Sequence, residues 1–159
     1  MTTSLSPLYD NTASSELLSR LSHPRPSDMQ HANLSEEVAA VIRKNEAYAA
    51  AHPPIAIYRF ATEGSRTRNG GEIQKGSSTM TITIQDGREL RGALKGDYVV
   101  YPDGSRAQII SGTGHENGDM ALVGSRLSNG DEIISTPQDV GLWVQRAGEQ
   151  MADDFLPPL

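Results

Sequence analysis

The sequence predicts a mainly β fold built from three β-hairpin repeats, preceded by an N-terminal helical extension. Short runs alternate between apolar and polar residues, and several are separated by Asn-Gly or Asp-Gly pairs, which supply the positive φ angles of tight hairpin turns. All 15 glycines lie at or after Gly64, whereas five of the nine prolines precede residue 55. This change in composition places a domain boundary at Pro53-Pro54.

Length and composition restrict the class of protein. The chain has 159 residues and a formal net charge of −6, so it fits one domain with extensions and lacks the basic charge that favours nucleic acid as a partner. It has no cysteine, which excludes disulfides, thiolate metal sites and a cysteine nucleophile. No apolar run is long enough to span a bilayer, and the N-terminus lacks the basic and apolar regions of a Sec signal.

Residues 1–54 are predicted to be a Pro- and Ser-rich leader that contains two helices. The shorter one covers residues 15–21. The longer one covers about residues 35–51, with Ser35 as N-cap and Pro53 as its stop. Val38, Val41 and Ile42 lie near one face of the longer helix, and this apolar stripe either packs on its own domain or binds a partner.

From residue 55 the pattern is that of strands. Residues 79–84 alternate, so that Met80, Ile82 and Ile84 share one face of a predicted strand. Four hairpin turns are predicted from the pairs Asp86-Gly87, Asp103-Gly104, Asn117-Gly118 and Asn129-Gly130.

A longer motif occurs three times, beginning at Gly64, Gly96 and Gly124. The spacing of about 30 residues is typical of repeat proteins, whose units cannot bury their apolar faces alone. Three such units either stack as a short solenoid or close around a pseudo-threefold axis, and the second arrangement suits a monomer that caps a trimer. We expect the repeat turns to lie together at one end; their residues are Asn69, Gly70, Asp103, Gly104, Asn129 and Gly130.

The motifs resemble those of PAAR-repeat domains. The resemblance covers roughly residues 58–137 and rests on Ala-Thr-Glu-Gly-Ser at 61–65, Gly-Asp at 96–97, Tyr-Pro-Asp-Gly at 101–104, Ile-Ile-Ser-Gly at 109–112 and Gly-Ser at 124–125. It implies a conical pseudo-threefold domain over residues 55–137, followed by a C-terminal extension over residues 138–159. PAAR proteins form the pointed tip on the trimeric valine-glycine-repeat (VgrG) spike of type VI secretion systems and related contractile injection machines.

The resemblance implies a function, a partner and a location. The chain would be a non-enzymatic tip protein that caps and sharpens a VgrG-type spike, one copy per trimer, and aids membrane puncture. It would assemble in the bacterial cytoplasm and then be secreted into a target cell by the machine. We expect its core and its spike-binding base to include Ile82, Ile84, Val99 and Ile109.

Two departures from the family pattern bear on metal binding. The Pro-Ala-Ala-Arg motif is replaced by Arg-Gly-Ala-Leu at residues 91–94. Many family members hold zinc through histidines and a cysteine in the turns, but here those places carry Asn69, Tyr101 or Asp103, and Asn129. Because asparagine is a weak zinc ligand and one carboxylate is not a site, we predict neither metal nor cofactor, and expect side-chain amides and hydroxyls to hydrogen-bond the turns instead.

No group of residues in the sequence indicates catalysis, and no catalytic residue is predicted. The four histidines are scattered, and adjacent carboxylates such as Glu36-Glu37 are typical of solvated helix ends. Within the tip architecture, the alternative is an effector-loading adaptor: Val38, Val41 and Ile42, with the rest of residues 1–54 and the C-terminal extension, would bind cargo or a chaperone. A small enzyme or toxin, and an unrelated three-repeat scaffold, are the competing classes.

Overall fold

A computed structural model shows a mainly β chain with several antiparallel sheets, as the sequence predicts. The structure describes residues 8–22 and 36–156. Their helices are α1 (Ser15–Ser22) and α2 (Glu36–Ala51), with a single 3-10 turn at His115–Asn117. The strands are β1 (Pro54–Arg59), β2 (Arg66–Thr67), β3 (Glu72–Ile73), β4 (Thr81–Thr83), β5 (Glu89–Arg91), β6 (Tyr98–Val100), β7 (Arg106–Gln108), β8 (Ile133–Ser135) and β9 (Leu142–Arg146).

The described residues form two compact units. The first contains residues 8–11, 58–143 and 151–156, and the second contains residues 12–22, 36–57 and 144–150. These units cross the predicted boundaries at 54/55 and 137/138, because both chain ends contribute to the first unit. Tyr9 and Thr136 exchange two backbone hydrogen bonds of 2.8 and 2.9 Å. Asn11 accepts a hydrogen bond from the Arg59 N–H at 2.7 Å and donates one to the Val123 carbonyl at 2.8 Å.

Strand pairing in the first unit closes on itself. Five antiparallel strands lie in the order β7-β6-β3-β2-β8. The segment before β8 joins the two ends, because Arg126 bridges to Glu132 and Leu127 bridges to Ile109. Closure of this kind leaves the sheet without free edges and encloses its inward-facing residues.

Three hairpins in this ring have the same type of turn. In each, a glycine N–H bonds back to the carbonyl three residues earlier, and the flanking residues are joined across the turn by a second backbone bond. The glycines are Gly70, Gly104 and Gly130, whose φ angles are 90°, 88° and 88°. Because other residues are strained at such angles, glycine is required here.

Three alanines join the segments that lead into these hairpins. The N–H of Ala61 bonds to the carbonyl of Ala121, that of Ala121 to Ala93, and that of Ala93 to Ala61, each at 2.9 Å. All three alanines are completely buried. The three hydrogen bonds form a closed cycle in which each segment contacts both of the others.

The buried core surrounds this cycle. Its members are small or β-branched side chains from all three hairpins, together with one leucine. They are Ala61, Ile73, Ala93, Val99, Ala107, Ile109, Ala121, Leu127 and Ile133, with Tyr101 packed against them. Small alanines at the cycle permit the close approach of three backbones, and the larger residues fill the space beside it.

Two of the predicted turns lie outside the three hairpins. Asp86-Gly87 joins β4 to β5 with the same turn geometry, Gly87 having a φ of 89°. The predicted hairpin at Asn117-Gly118 is wrong: Asn117 ends the 3-10 turn, and Gly118 caps it in the left-handed conformation. A glycine after asparagine is suited both to a hairpin turn and to the cap of a helical turn, so the Asn-Gly pair alone does not distinguish the two structures.

The second unit contains both helices, which lie where the sequence predicts them, although Ser35 itself is outside the described residues. The end of α2 is fixed by residues near the C-terminus. Tyr48 donates a hydrogen bond to Glu149 at 2.8 Å, and the Nδ1 of His52 lies 2.8 Å from the Ala147 carbonyl oxygen. β1 and β9 pair as a two-stranded sheet. Each of these two strands has some residues in the first unit and the rest in the second.

Replacing each cycle alanine by leucine should test the packing of the ring. We expect Ala61→Leu, Ala93→Leu and Ala121→Leu each to lower the free energy of unfolding by about 1–3 kcal/mol or more, because the buried sites have no room for the added atoms. Urea unfolding followed by the fluorescence of Trp143, which belongs to the same unit, measures this. Ala47→Leu on the exposed surface of α2 is the control and should change stability by less than about 0.5 kcal/mol. Equal effects at all four positions would contradict the packing described here.

Candidate functional site

Polar groups from all three hairpins meet at Asp131, the residue after the glycine of the third turn. Asp131 is only 3% exposed. Its Oδ2 accepts a hydrogen bond from the Tyr101 hydroxyl at 2.6 Å, and the Tyr101 oxygen accepts one from Asn129 Nδ2 at 3.0 Å. Tyr101 reaches this point because it lies at the base of the second turn.

The other carboxylate oxygen of Asp131 is also in use. Oδ1 accepts hydrogen bonds from the backbone N–H of Glu132 at 2.8 Å and of Asn69 at 3.3 Å. The Thr67 hydroxyl, which accepts a hydrogen bond from the Gly71 N–H at 2.8 Å, also acts to lower the pKa of Asp131. The carboxylate therefore joins the first and third turns and holds the tyrosine of the second. We call Thr67, Asn69, Tyr101, Asn129 and Asp131 the turn cluster.

Hydrogen bonding in the turn cluster fixes its protonation states. Burial acts to raise the pKa of Asp131, but the hydrogen bonds from Thr67 and Tyr101 and from backbone N–H groups outweigh burial and hold the pKa below its usual value. Burial raises the pKa of Tyr101, and its hydrogen bond to Asp131 raises it further. At neutral pH the pair is an ionised acceptor and a neutral donor.

The structure brings together only part of the predicted set of turn residues. Asn69 and Asn129 belong to the turn cluster, and Gly70 and Gly130 shape the turns that carry it. Asp103 does not join them; beside Gly104 in an exposed turn, it accepts hydrogen bonds from the backbone and hydroxyl of Ser105 at 2.9 and 2.6 Å. Asp131, the residue that joins the turns, is not among the turn residues predicted from the sequence. One feature of the sequence could have found it. Among the three turns, only the third has an acidic residue directly after its turn glycine.

The turn cluster does not suit the zinc site that the resemblance implies. It offers one carboxylate whose two oxygens already accept hydrogen bonds, and zinc sites usually need three or four nitrogen, sulfur or carboxylate ligands. Among residues 8–22 and 36–156, no group of three or more histidines and carboxylates could hold a metal ion. His115 is largely exposed, with its Nδ1 3.5 Å from Asp119. As expected for the repeat turns, side-chain hydroxyls and a side-chain amide form hydrogen bonds in the turn cluster.

Most of the β residues predicted to bind a partner are buried within the chain itself. Val99 and Ile109 belong to the core, being 0% and 1% exposed, and Ile82 is 9% exposed beside Gly141. Ile84 is half-buried. Because a buried side chain adds little contact area, Ile82, Val99 and Ile109 stabilise the fold and are not available as a partner surface. Their strand pattern indicates which face is apolar but not what covers that face.

Other apolar side chains are exposed. Val38 and Val41 on α2 are 44% and 57% exposed, whereas the side chain of Ile42 lies outside the described part of the structure. Ile110 and Ile134 directly follow the core residues Ile109 and Ile133, and they are 48% and 38% exposed. These two exposed isoleucines therefore occupy matching positions of the second and third hairpins.

Comparison with known proteins finds no matching family model, no similar curated protein and no similar solved structure. Within the described ranges, neither helix has the length and apolar character needed to cross a membrane.

Replacing the central carboxylate should destabilise the fold in a pH-dependent way. We expect Asp131→Asn to lower the free energy of unfolding by about 1–3 kcal/mol at pH 7, because it places an amide NH₂ among hydrogen-bond donors. Since the pKa of Asp131 is lower in the folded chain than in the unfolded chain, its stabilising effect is present above about pH 4 and is lost as the pH falls through the folded value. The difference between the two proteins should therefore shrink below about pH 4 in urea titrations.

The control is Asp103→Asn, which changes the same kind of residue in an exposed turn. Because the Asp103 turn is exposed, water can replace the hydrogen bonds that this carboxylate forms with Ser105. The loss of stability from Asp103→Asn should therefore be well below that from Asp131→Asn. A loss from Asp103→Asn as large as that from Asp131→Asn would remove the special role given to the buried carboxylate.

Proposed function

We propose that the chain is a non-enzymatic tip protein that caps the trimeric VgrG-type spike of a type VI secretion system or a related contractile injection machine. The observation that carries the proposal is the closed cycle of hydrogen bonds among Ala61, Ala93 and Ala121, because it relates three chain segments in the same way. A single chain with three equivalent segments can present each of them to one subunit of a trimer.

The three hairpins are proposed to be sequence repeats around a pseudo-threefold axis. Equivalent backbone bonds support this: the N–H of Gly64 bonds to the Ile73 carbonyl at 2.7 Å, that of Gly96 to Ile109 at 2.8 Å, and that of Gly124 to Ile133 at 2.8 Å. The three isoleucines are buried, and each follows its glycine across a hairpin. The second hairpin has a longer arm, which is how Tyr101 reaches Asp131 of the third.

Rigidity is the property that a puncturing tip needs, and the proposed conical PAAR-like domain would obtain it from two sets of hydrogen bonds. The alanine cycle joins the three segments where the hairpins begin, and the turn cluster joins them where the hairpins turn. The energy for puncture would come from sheath contraction and not from this chain. In this proposal the tip assembles on the spike in the bacterial cytoplasm and leaves the cell with it, without a metal or cofactor.

The spike contact is proposed to use the exposed side chains of Ile110 and Ile134, in place of the buried residues predicted from the sequence. Both follow equivalent core isoleucines, so they present apolar area at equivalent positions of two hairpins. The matching position of the first hairpin carries Gln74, which is also exposed.

The effector-loading adaptor remains a second candidate function because of the surface of α2. Val38 and Val41 lie one helical turn apart and are both exposed. In this function the second unit would bind an effector or a chaperone while the first unit binds the spike. The two functions are compatible, and surface variants separate them.

Native mass spectrometry of the full chain mixed with a purified trimeric VgrG-type protein from the same genome should show one chain per trimer. We expect the Ile110→Asp/Ile134→Asp double variant to weaken this complex at least tenfold, because it places carboxylates in the proposed apolar contact. The control, Val38→Asp/Val41→Asp, should leave the complex unchanged and, in the adaptor function, should prevent cargo loading.

Surface variants are preferable to deletion of residues 1–54, since Tyr9 and Asn11 hydrogen-bond within the first unit. Absence of any complex between the folded chain and the trimer would exclude the tip function. Two or three chains per trimer would show that the chain binds the spike, but would contradict the proposal that each of its three segments contacts one subunit.

A further inference from the structure

The outer edge of β4 carries backbone groups that are ready to pair with another strand. Backbone bonds join Ile84 to Arg88 and Gly92 to Met80 on either side of the β4–β5 pairs. Because hydrogen-bonded pairs alternate along an antiparallel ladder, the N–H and C=O groups of Thr81 and Thr83 point away from β5. In the described part of the chain, no hydrogen bond of these four groups is present.

This edge has neither charge nor proline to protect it, and β4 is short, at three residues. Residues 79–85 (Thr-Met-Thr-Ile-Thr-Ile-Gln) contain neither a charge nor a proline. Sheet edges that stay unpaired commonly carry lysine, proline or a bulge, which prevents pairing with another chain. An uncharged edge with alternating threonines, both exposed in β4, is instead suited to accept an added strand.

An open groove of the first unit begins beside this edge, with Thr83 in its lining. Three of its lining residues are apolar and not buried: Leu8 is 47% exposed, Val140 is 73% exposed, and Ile84 is half-buried. An apolar side chain of an added strand would find contact area here that the chain itself leaves uncovered.

The charge of the groove distinguishes between occupants. Its charged lining residues are Glu63, Arg66, Glu72, Asp86, Arg88 and Asp139. Both arginines are in ion pairs, Arg66 with Glu72 at 3.8 Å and Arg88 with Asp86 at 2.7 Å. Glu63 accepts two backbone hydrogen bonds, whereas Asp139 is exposed and forms no ion pair within the described ranges.

We propose that the β4 edge and this groove bind an extended segment of a partner protein, in which apolar residues alternate and a lysine or arginine pairs with Asp139. A second copy of this chain suits the site less well. Its own edge segment has no basic residue, and each copy has a net charge of −6. The proposal is independent of the spike-tip function.

The test uses the full chain and a library of random twelve-residue peptides displayed on phage. Selection on the native chain should enrich alternating apolar sequences that contain lysine or arginine. A selected peptide, made synthetically, should shift the amide resonances of Thr81 and Thr83 in ¹⁵N-labelled protein. Its affinity should fall at least tenfold when the backbone nitrogens along its pairing edge are methylated.

Three variants examine the parts of the site separately. Thr83→Pro removes an outward N–H without removing a bond to β5, Val140→Ser removes apolar area, and Asp139→Asn removes the unpaired charge. Each should weaken the peptide at least fivefold, with circular dichroism showing unchanged folding. Val41→Ser, on the exposed surface of α2, is the matched control and should have no effect.

Other outcomes overturn the proposal. The first is that selection on the native chain enriches no more peptides than selection on the combined Thr83→Pro/Val140→Ser variant. The second is that the enriched peptides contain no lysine or arginine. The third is that the methylated peptide binds with the same affinity as the unmodified one. Sedimentation velocity completes the test: a dimer that Thr83→Pro converts to monomer would assign the edge to a second copy instead.

Discussion

Three backbones can meet at one point only if their side chains are small and their polar groups are satisfied there. The cycle of hydrogen bonds through Ala61, Ala93 and Ala121 meets both conditions, since each residue donates to one neighbour and accepts from the other. The order of the hairpins, the closure of the sheet and the burial of the core all depend on this arrangement. A larger side chain at any of the three would separate all the segments at once.

The turn cluster serves the other end of the hairpins with different chemistry. Its centre is a buried carboxylate with hydroxyl, amide and backbone donors around it. Such a network stabilises the arrangement only while every member is satisfied, and its dependence on pH follows the pKa of Asp131. In the proposed tip, these hydrogen bonds would supply rigidity where the hairpins turn.

The extensions have separate roles in the two units. Residues near both chain ends complete the first unit: Tyr9 pairs with Thr136, and the C-terminal Phe155 packs beside Trp143 with 5.6 Å between ring centroids. The second unit carries the exposed valines of α2. The surfaces proposed for a spike, a cargo and an extended peptide are carried by different residues, so variants confined to each surface test the three proposals separately.

Local signals in the sequence determined the mainly β class, both helices and the turns at Gly70, Gly104 and Gly130, because alternation, apolar periodicity and positive φ angles depend on neighbouring residues alone. Only the tertiary structure decided which apolar residues are covered, so Val99 and Ile109 lie in the core while Ile110 remains exposed. It also chose Asp131 over Asp103 as the buried acceptor. The reason is physical: burial and hydrogen bonding are set by contacts between segments distant in sequence, which no local pattern encodes.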